Sequence, residues 1–373
     1  MEFANIGYSD EQIELLDVAT NFCRERSPIL SVRQLIDSDT GFDANIWDEI
    51  INLGWTAIAI PDAYDGVGLS LAEAMPVAEQ MGRHLLAVPF SSCLLAAQAL
   101  IASGTEAQKS LYLPQLAAGK IATLAVYEPH SDWELGHIDA AAKLDGDHLH
   151  LSGKKQFVMW GQAANFIIVS VKFDDAPALV MLTKDDILEG ALRREHIIDE
   201  TKRSAELTLD GICVPITAML DQAKAHEALQ KIDLAAALLQ SAEMCGGTLS
   251  VIDYTTRYLQ TRKQFGNVIG AFQALKHPIV DAYVEYEKAR SHLYSAAYSF
   301  GDQGLGEVAV RMAKASADKA YSFAADRAIQ FHGGFGFTHD CDAGLHRRAA
   351  IFYASQFGDA AWQRAKLGDL LFA

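Results

Sequence analysis

The chain has 373 residues, half of them hydrophobic, and a formal net charge of −17. That length exceeds one ordinary core and predicts two or three packed units. The acidic balance excludes nucleic acid or an anionic membrane as the main partner, because both demand a basic face. It leaves room for a local basic pocket, for which Arg193-Arg194, Arg262-Lys263 and Arg347-Arg348 are candidates. Five scattered cysteines (Cys23, Cys93, Cys213, Cys245 and Cys341) without a C-x-x-C pair fit a reducing compartment and neither a disulfide framework nor a zinc site. Met1 to Tyr8 lacks a basic region followed by an apolar run, and no segment reaches the ~18 consecutive apolar residues of a membrane span. The expectation is a soluble cytoplasmic protein.

In chain order, Ser9-Asp-Glu-Gln12 reads as a capping box opening a helix with Ile13, Leu16 and Ala19 on one stripe. Further helices are predicted over 44–53, 70–87 and 91–103. Pro61-Asp-Ala-Tyr64-Asp-Gly66-Val-Gly68 reads as a loop. Gly104-Thr-Glu-Ala-Gln-Lys109 then leads to Tyr112-Leu-Pro114 and a short helix ending near Gly119. From Ile121 the period changes to that of strands: 121–126, a hairpin over 143–151 turning at Asp145-Gly146, then 166–171, 179–182 and 206–209. His148 and His150 share one face of that hairpin, where a solvated face outweighs a metal site because no third ligand accompanies them. After residue 223 the pattern is helical again, with a stripe of Leu238, Ala242, Cys245, Leu249, Ile252 and Leu259. Ile279, Tyr283, Tyr286 and Leu293 repeat the theme. Ala309, Ala313, Ser316, Ala320, Phe323, Ala324 and Ala328 form a face of mostly small residues. These stripes read as core and oligomer packing.

Two constellations carry chemistry. Arg262-Lys-Gln-Phe265-Gly266, followed by Gln273 and His277, offers an arginine fork suited to a pyrophosphate. Gln330-Phe-His332-Gly333-Gly334-Phe335-Gly336 lets backbone N–H groups approach an anion with no Cβ in the way. Each alone is a weak signal. Together, with Pro61 to Gly68, the Gly104 to Pro114 segment and Ala205-Glu-Leu-Thr-Leu-Asp-Gly-Ile-Cys-Val-Pro215, they resemble the acyl-CoA dehydrogenase family from end to end.

The resemblance implies an α+β, mainly α fold: an N-terminal helical domain (1–120), a β-barrel-like domain (121–220) and a C-terminal four-helix bundle (221–373). It implies FAD as cofactor, acyl-CoA as substrate and a flavoprotein as electron acceptor. In the family the FAD of one subunit is contacted by residues of its neighbour. Carried over, these are Arg262, Phe265, Gln273 and Gln330, with Gly333 and Gly334 giving backbone access. The functional unit is then at least a dimer, and the family commonly forms dimers of dimers.

The pattern breaks at the catalytic base, which must take a proton α to a thioester as hydride leaves the β carbon. The two places where the family puts a glutamate hold Phe357 and Ala236. Asp233, one turn before Ala236, is the substitute candidate; Asp359 is a further acid, and Glu243 lies roughly 10 Å along the helix axis, too far on this reading. The flavin-facing strands depart too. Tyr127-Glu128-Pro129 replaces threonine-glutamate-proline, His130-Ser131-Asp132 is a shortened loop, and Phe157-Val158-Met159 replaces tryptophan-isoleucine-threonine. This combination is similar to the short subunits of heterotetrameric dehydrogenases acting on steroid side chains, which have lost their own active site. Two alternatives stay open: a self-sufficient homo-oligomeric dehydrogenase with a non-standard base, and a flavin monooxygenase on the same fold.

Overall fold

The computed structural model describes residues 10–129, 132–302 and 304–372; the Ser9 cap and the His130-Ser131 part of the shortened loop lie outside them. Six helices come first: α1 (Asp10–Arg26), α2 (Ile29–Ile36), α3 (Ala44–Asn52), α4 (Met75–Arg83), α5 (Phe90–Ser103) and α6 (Glu106–Ala117). Asp43 caps α3 by accepting from the Asn45 N–H. Thr105 and Gln108 form a reciprocal capping box, so α6 starts earlier than the Tyr112-Leu-Pro114 segment suggests and carries Pro114 inside it.

Nine strands follow: β1 (Ala122–Ala125), β2 (Ala141–Asp145), β3 (His148–Ser152), β4 (Lys154–Met159), β5 (Phe166–Phe173), β6 (Ala176–Thr183), β7 (Leu192–Glu195), β8 (Ser204–Thr208) and β9 (Cys213–Pro215). They form a six-stranded sheet in the order β1-β5-β2-β3-β9, with β6 on the other edge of β5, and a three-stranded sheet β4-β8-β7. β5 is buried along most of its length and pairs in parallel with β1 and antiparallel with β6. On β3, His148 and His150 are exposed and Leu149 and Leu151 buried, the alternation of a strand with one wet face.

The last part is built on α7 (Ala225–Thr261), which leads through a tight hairpin of β10 (Lys263–Gln264) and β11 (Asn267–Val268) into α8 (Gln273–Ser299). α9 (Leu305–His332), α10 (Asp342–Ala354) and α11 (Ala360–Phe372) complete it. α7 has the length and composition of a membrane span, yet 83% of its most apolar window is buried inside the fold. It is the central core helix: α4 and α5 pack on one side of it, α8, α9 and α10 on the others. The crossing with α4 is glycine on backbone. A Cβ at Gly82 would sit 2.0 Å from the Glu243 carbonyl oxygen, and one at Gly246 1.8 Å from that of Glu79. This close approach fixes Glu243 against the start of α5.

Candidate functional site

At the far end of α7 the two glycine-bearing motifs meet. Arg262 ends the helix, and the β10–β11 turn has Phe265 and Gly266 at its tip, both left-handed (φ 54° and 79°). Such a turn prefers Asn-Gly, so a phenylalanine there carries strain. Its ring is 88% exposed and touches only Phe272 edge-on among the described residues (6.2 Å). Nothing within this chain offsets that strain. Gln273 is the first residue of α8, and Gln330 lies in the last turn of α9, both exposed. Among the described residues the side chains of Arg262, Gln273 and Gln330 make no hydrogen bond or ion pair within the chain.

Two packing features bring the motifs together. Phe331 packs with Leu259 of α7 and Ile269, which follows the hairpin. His332, 3% exposed, stacks on Tyr254 (4.8 Å between centroids) and Tyr258 (4.2 Å) of α7. Beyond it Gly333 is left-handed (φ 62°), and no atom stands where a Cβ of Gly333 or Gly334 would point. The result is an exposed shelf with an uncommitted guanidinium, two free carboxamides and an open backbone turn. An anionic, elongated ligand suits it.

The near end of α7 is different. Ala236 and Phe357, the two positions expected to hold a glutamate, line one small cavity of ≈ 70 Å³ together with Glu243, Lys202, Tyr353, Ser91 and Met159. Ligand pockets for molecules of drug size are ~300–1,000 Å³, so no extended acyl chain fits. Glu243, two turns along α7 from Ala236, lines the same cavity. The cavity runs along α7 and takes in both positions. Its carboxylate is fully engaged, accepting from Ser91 Oγ (2.7 Å), Lys202 Nζ (3.2 Å) and the Tyr353 phenol. It is an anchored acid.

Next to this cavity three aromatic residues from distant segments meet, beside an open crevice of ≈ 270 Å³ lined by Tyr127, Phe157, Ser355 and Gln356. The Phe357 N–H donates to Tyr127 Oη (2.7 Å), their rings lie 5.3 Å apart, and Phe157 meets Tyr127 edge-on at 6.3 Å. Phe157, Trp160 and Phe357 all have left-handed backbones (φ 52°, 58° and 51°), a cluster of strain around one crevice. At Phe157 the β4–β8 register slips, and Glu195 accepts its N–H. The loop bearing Phe357 is clamped from α9 and α11. Lys314 donates to the Tyr353 carbonyl (2.7 Å), Gln363 to that of Phe357 (2.7 Å), and Asp318 accepts from the Ala360 N–H (2.8 Å). Burial pushes the Lys314 ammonium down to about 8. Glu128 turns inward to Lys155 and to the N–H groups of Asp139 and Ala140, so it serves the sheet.

Asp233 does not line the cavity shared by Ala236 and Phe357. It is buried against Arg311 (3.2 Å) and faces a separate crevice of ≈ 520 Å³ with Trp133 and Trp362. Burial raises its carboxyl to about 6 against the pull of Arg311. Asp359 caps α11 by accepting from the Trp362 N–H (2.8 Å). Among the described residues no three His, Cys, Asp or Glu side chains are grouped to hold a metal ion.

Comparison with known proteins matches residues 9–120 to the acyl-CoA dehydrogenase N-terminal domain and residues 234–371 to the acyl-CoA dehydrogenase C-terminal domain, together more than half of the chain. The chain belongs to the acyl-CoA dehydrogenase family. It is 29% identical to mitochondrial isovaleryl-CoA dehydrogenase of Pongo abelii, over 97% of this chain and 89% of that protein. It is 27% identical to acyl-CoA dehydrogenase IpdE2 of Mycolicibacterium smegmatis, over 98% of this chain and all of that one. Among solved structures, a variant of the Tcur3481–Tcur3483 steroid ACAD is 28% identical with a TM-score of 0.86, covering 97% of this chain and 98% of that chain.

Acyl-CoA dehydrogenases are FAD-dependent oxidoreductases acting on CH–CH bonds, and this chain's residues meet FAD unevenly. The shelf of Arg262, Gln273, Gln330 and the Gly333-Gly334 turn offers the exposed donors and open backbone that a diphosphate and adenosine end would need. At the expected ring end Tyr127 contacts both Phe357 and Phe157, beside an open crevice of ≈ 270 Å³ lined by Tyr127, Glu128, Trp133 and Phe157. Sequence reasoning missed this contact because nothing local links residues 230 positions apart; the aromatic replacements at both ends were its only signal.

Proposed function

We propose that this chain is the non-catalytic subunit of a heteromeric FAD-dependent acyl-CoA dehydrogenase, completing the FAD site of a homologous subunit. The observation that carries this reading is the pairing of an exposed, uncommitted shelf at Arg262 with a cavity of only ≈ 70 Å³ at Ala236 and Phe357, where a catalytic glutamate is expected. In this reading Arg262 grips the FAD diphosphate, Gln273 and Gln330 hydrogen-bond its adenosine end, Phe265 packs across the subunit boundary, and Gly333 and Gly334 give backbone access. Bound FAD supplies the hydride acceptor, and the catalytic carboxylate comes from the partner. The domain organisation that goes with it is 1–120, 121–220 and 221–373.

An acyl-CoA carrying a steroid-derived acyl group is the proposed substrate of the assembly, supported by the likeness to the Tcur3481–Tcur3483 steroid ACAD. A flavoprotein is the proposed electron acceptor. The self-sufficient alternative needs a non-standard base: Asp233 is tied to Arg311 in a different crevice, and Glu243 is held by Ser91, Lys202 and Tyr353. Expression alone, and with the acyl-CoA dehydrogenase subunits of its own genome, tests the reading. The expected outcome is a colourless chain alone and a yellow, active complex with unlike subunits. A chain purified alone that binds FAD stoichiometrically and is bleached by acyl-CoA would falsify it.

A further inference from the structure

We propose that His332 is a positioning residue that locks the two halves of the FAD shelf together and releases them on acidification. The inference rests on the subunit function above and adds to it a residue and a pH response. The shelf has two separate pieces: the hairpin after α7, with Arg262, and the turn after α9, with Gln330, Gly333 and Gly334. His332 lies between Gln330 and Gly333 in sequence, and its ring stacks on Tyr254 and Tyr258 of α7, two turns and one turn before Arg262. Moving the imidazole therefore moves one piece relative to the other.

The ring is held in one protonation form. Its Nδ1 lies 2.8 Å from the Ala328 carbonyl, which can only accept, so Nδ1 carries the proton. Nε2 is buried and has no hydrogen-bond partner among the described residues. A second proton would place a charge there with nothing to accept it. The titratable groups facing the ring are the phenols of Tyr254 and Tyr258 from α7, Cys341, which lies 3.7 Å from the Tyr254 hydroxyl, and Asp342 at the start of α10. Asp342 is already paired with Arg33 of α2 (2.7 Å). Burial holds the imidazole below its ordinary range, outweighing the Ala328 bond and Asp342. With its folded value below the unfolded ~6.5, the neutral ring's contribution is complete above ~6.5 and is lost as pH falls through the lower folded value.

The test measures FAD dissociation from the co-expressed complex between pH 5 and 8 for wild type, H332A and H332F, with the imidazole tautomer read by nitrogen-15 NMR. H332A should weaken FAD binding at pH 8 about tenfold or more, while H332F, which keeps the stacked ring, should stay within about threefold of wild type. Wild-type FAD affinity should fall as the pH is lowered from 8 to 5, and H332F should show a flat profile. Equal affinity of wild type and H332A at pH 8, or an H332F profile that falls with acid as wild type does, overturns the proposal. If H332A fails to fold, the H332F profile and a wild-type spectrum with protonated Nδ1 and bare Nε2 still decide it. A wild-type complex holding no FAD at any pH overturns the subunit function and this role with it; FAD held equally by wild type and H332A overturns this role alone.

Discussion

The Phe357 backbone donates its hydrogen bond to the phenol of Tyr127, joining the loop before α11 to the end of the strand region at β1. Both residues are buried. Tyr127→Phe keeps the ring packing but leaves a buried N–H without its acceptor, which costs about 1–3 kcal/mol. Chemical denaturation should show that loss. Unchanged stability would mean that the bond does not hold the loop in place.

Removing the ring contacts is a separate matter. The double substitution Tyr127→Thr with Phe357→Glu removes both ring contacts and restores a hydroxyl and a carboxylate at the family's positions. The loop is clamped independently by Lys314, Asp318 and Gln363, so it should remain in place. The FAD content of the complex should rise above that of wild type. No rise would show that Phe157 or the bulged β4 strand is the larger obstacle.

Arg262 makes no contact that the isolated chain would miss. Arg262→Ala should leave the unfolding free energy within about 0.5 kcal/mol of wild type. In the complex it should weaken FAD binding by about 1.5–3 kcal/mol, the worth of a charge-assisted hydrogen bond. Arg262→Lys should recover only part, because an ammonium lacks the planar fork. Titrating FAD into the apo-complex checks both halves.

Phe265 gives the opposite signature. Its left-handed backbone is strained and its ring is solvent-exposed, so Phe265→Asn should stabilise the isolated chain by about 1 kcal/mol or more. The same change should weaken assembly, as seen in analytical ultracentrifugation. A variant more stable yet equally well assembled would rule out a role for this ring at the subunit boundary.

Asp233 can be tested through acid and base. Its folded value of about 6 lies above the unfolded ~3.9. Its contribution to stability is therefore fully present below ~4 and lost as pH rises through 6. Relative to Asp233→Asn, wild type should lose on the order of 2–3 kcal/mol between pH 4 and 7.5. Turnover by the complex should stay within about twofold in this variant. A large loss of turnover would reinstate Asp233 as a base.

Where the amino-acid pattern is local and repeated, it foretells the fold. The α7 stripe from Leu238 to Leu259 and the Asp145-Gly146 hairpin appear where expected. β7 and β9 escape notice because they are short: Leu192–Glu195 carries two arginines, and Cys213–Pro215 is three residues ending in proline. The R-x-x-F-G segment reads equally well as a helix exit. Only the paired φ values of Phe265 and Gly266 reveal a turn that presents a ring to solvent. The shelf was legible as motifs, whereas the aromatic cluster was not, because Tyr127, Phe157 and Phe357 come from three distant segments. Spacing along α7 places Glu243 two turns from Ala236, but only the packing of Ser91, Lys202 and Tyr353 shows that its carboxylate is held on the same cavity.

α7 carries Ala236, where a base was expected, nearer one end and leads to Arg262 at the other, about 40 Å away at 1.5 Å per residue. A rod of that length keeps the two tasks out of each other's reach. Side chains near its start can be exchanged for fillers while the residues beyond Thr261 keep their positions. In the proposed subunit role, a chain can give up the chemistry at one end of this rod and still supply a contact at the other.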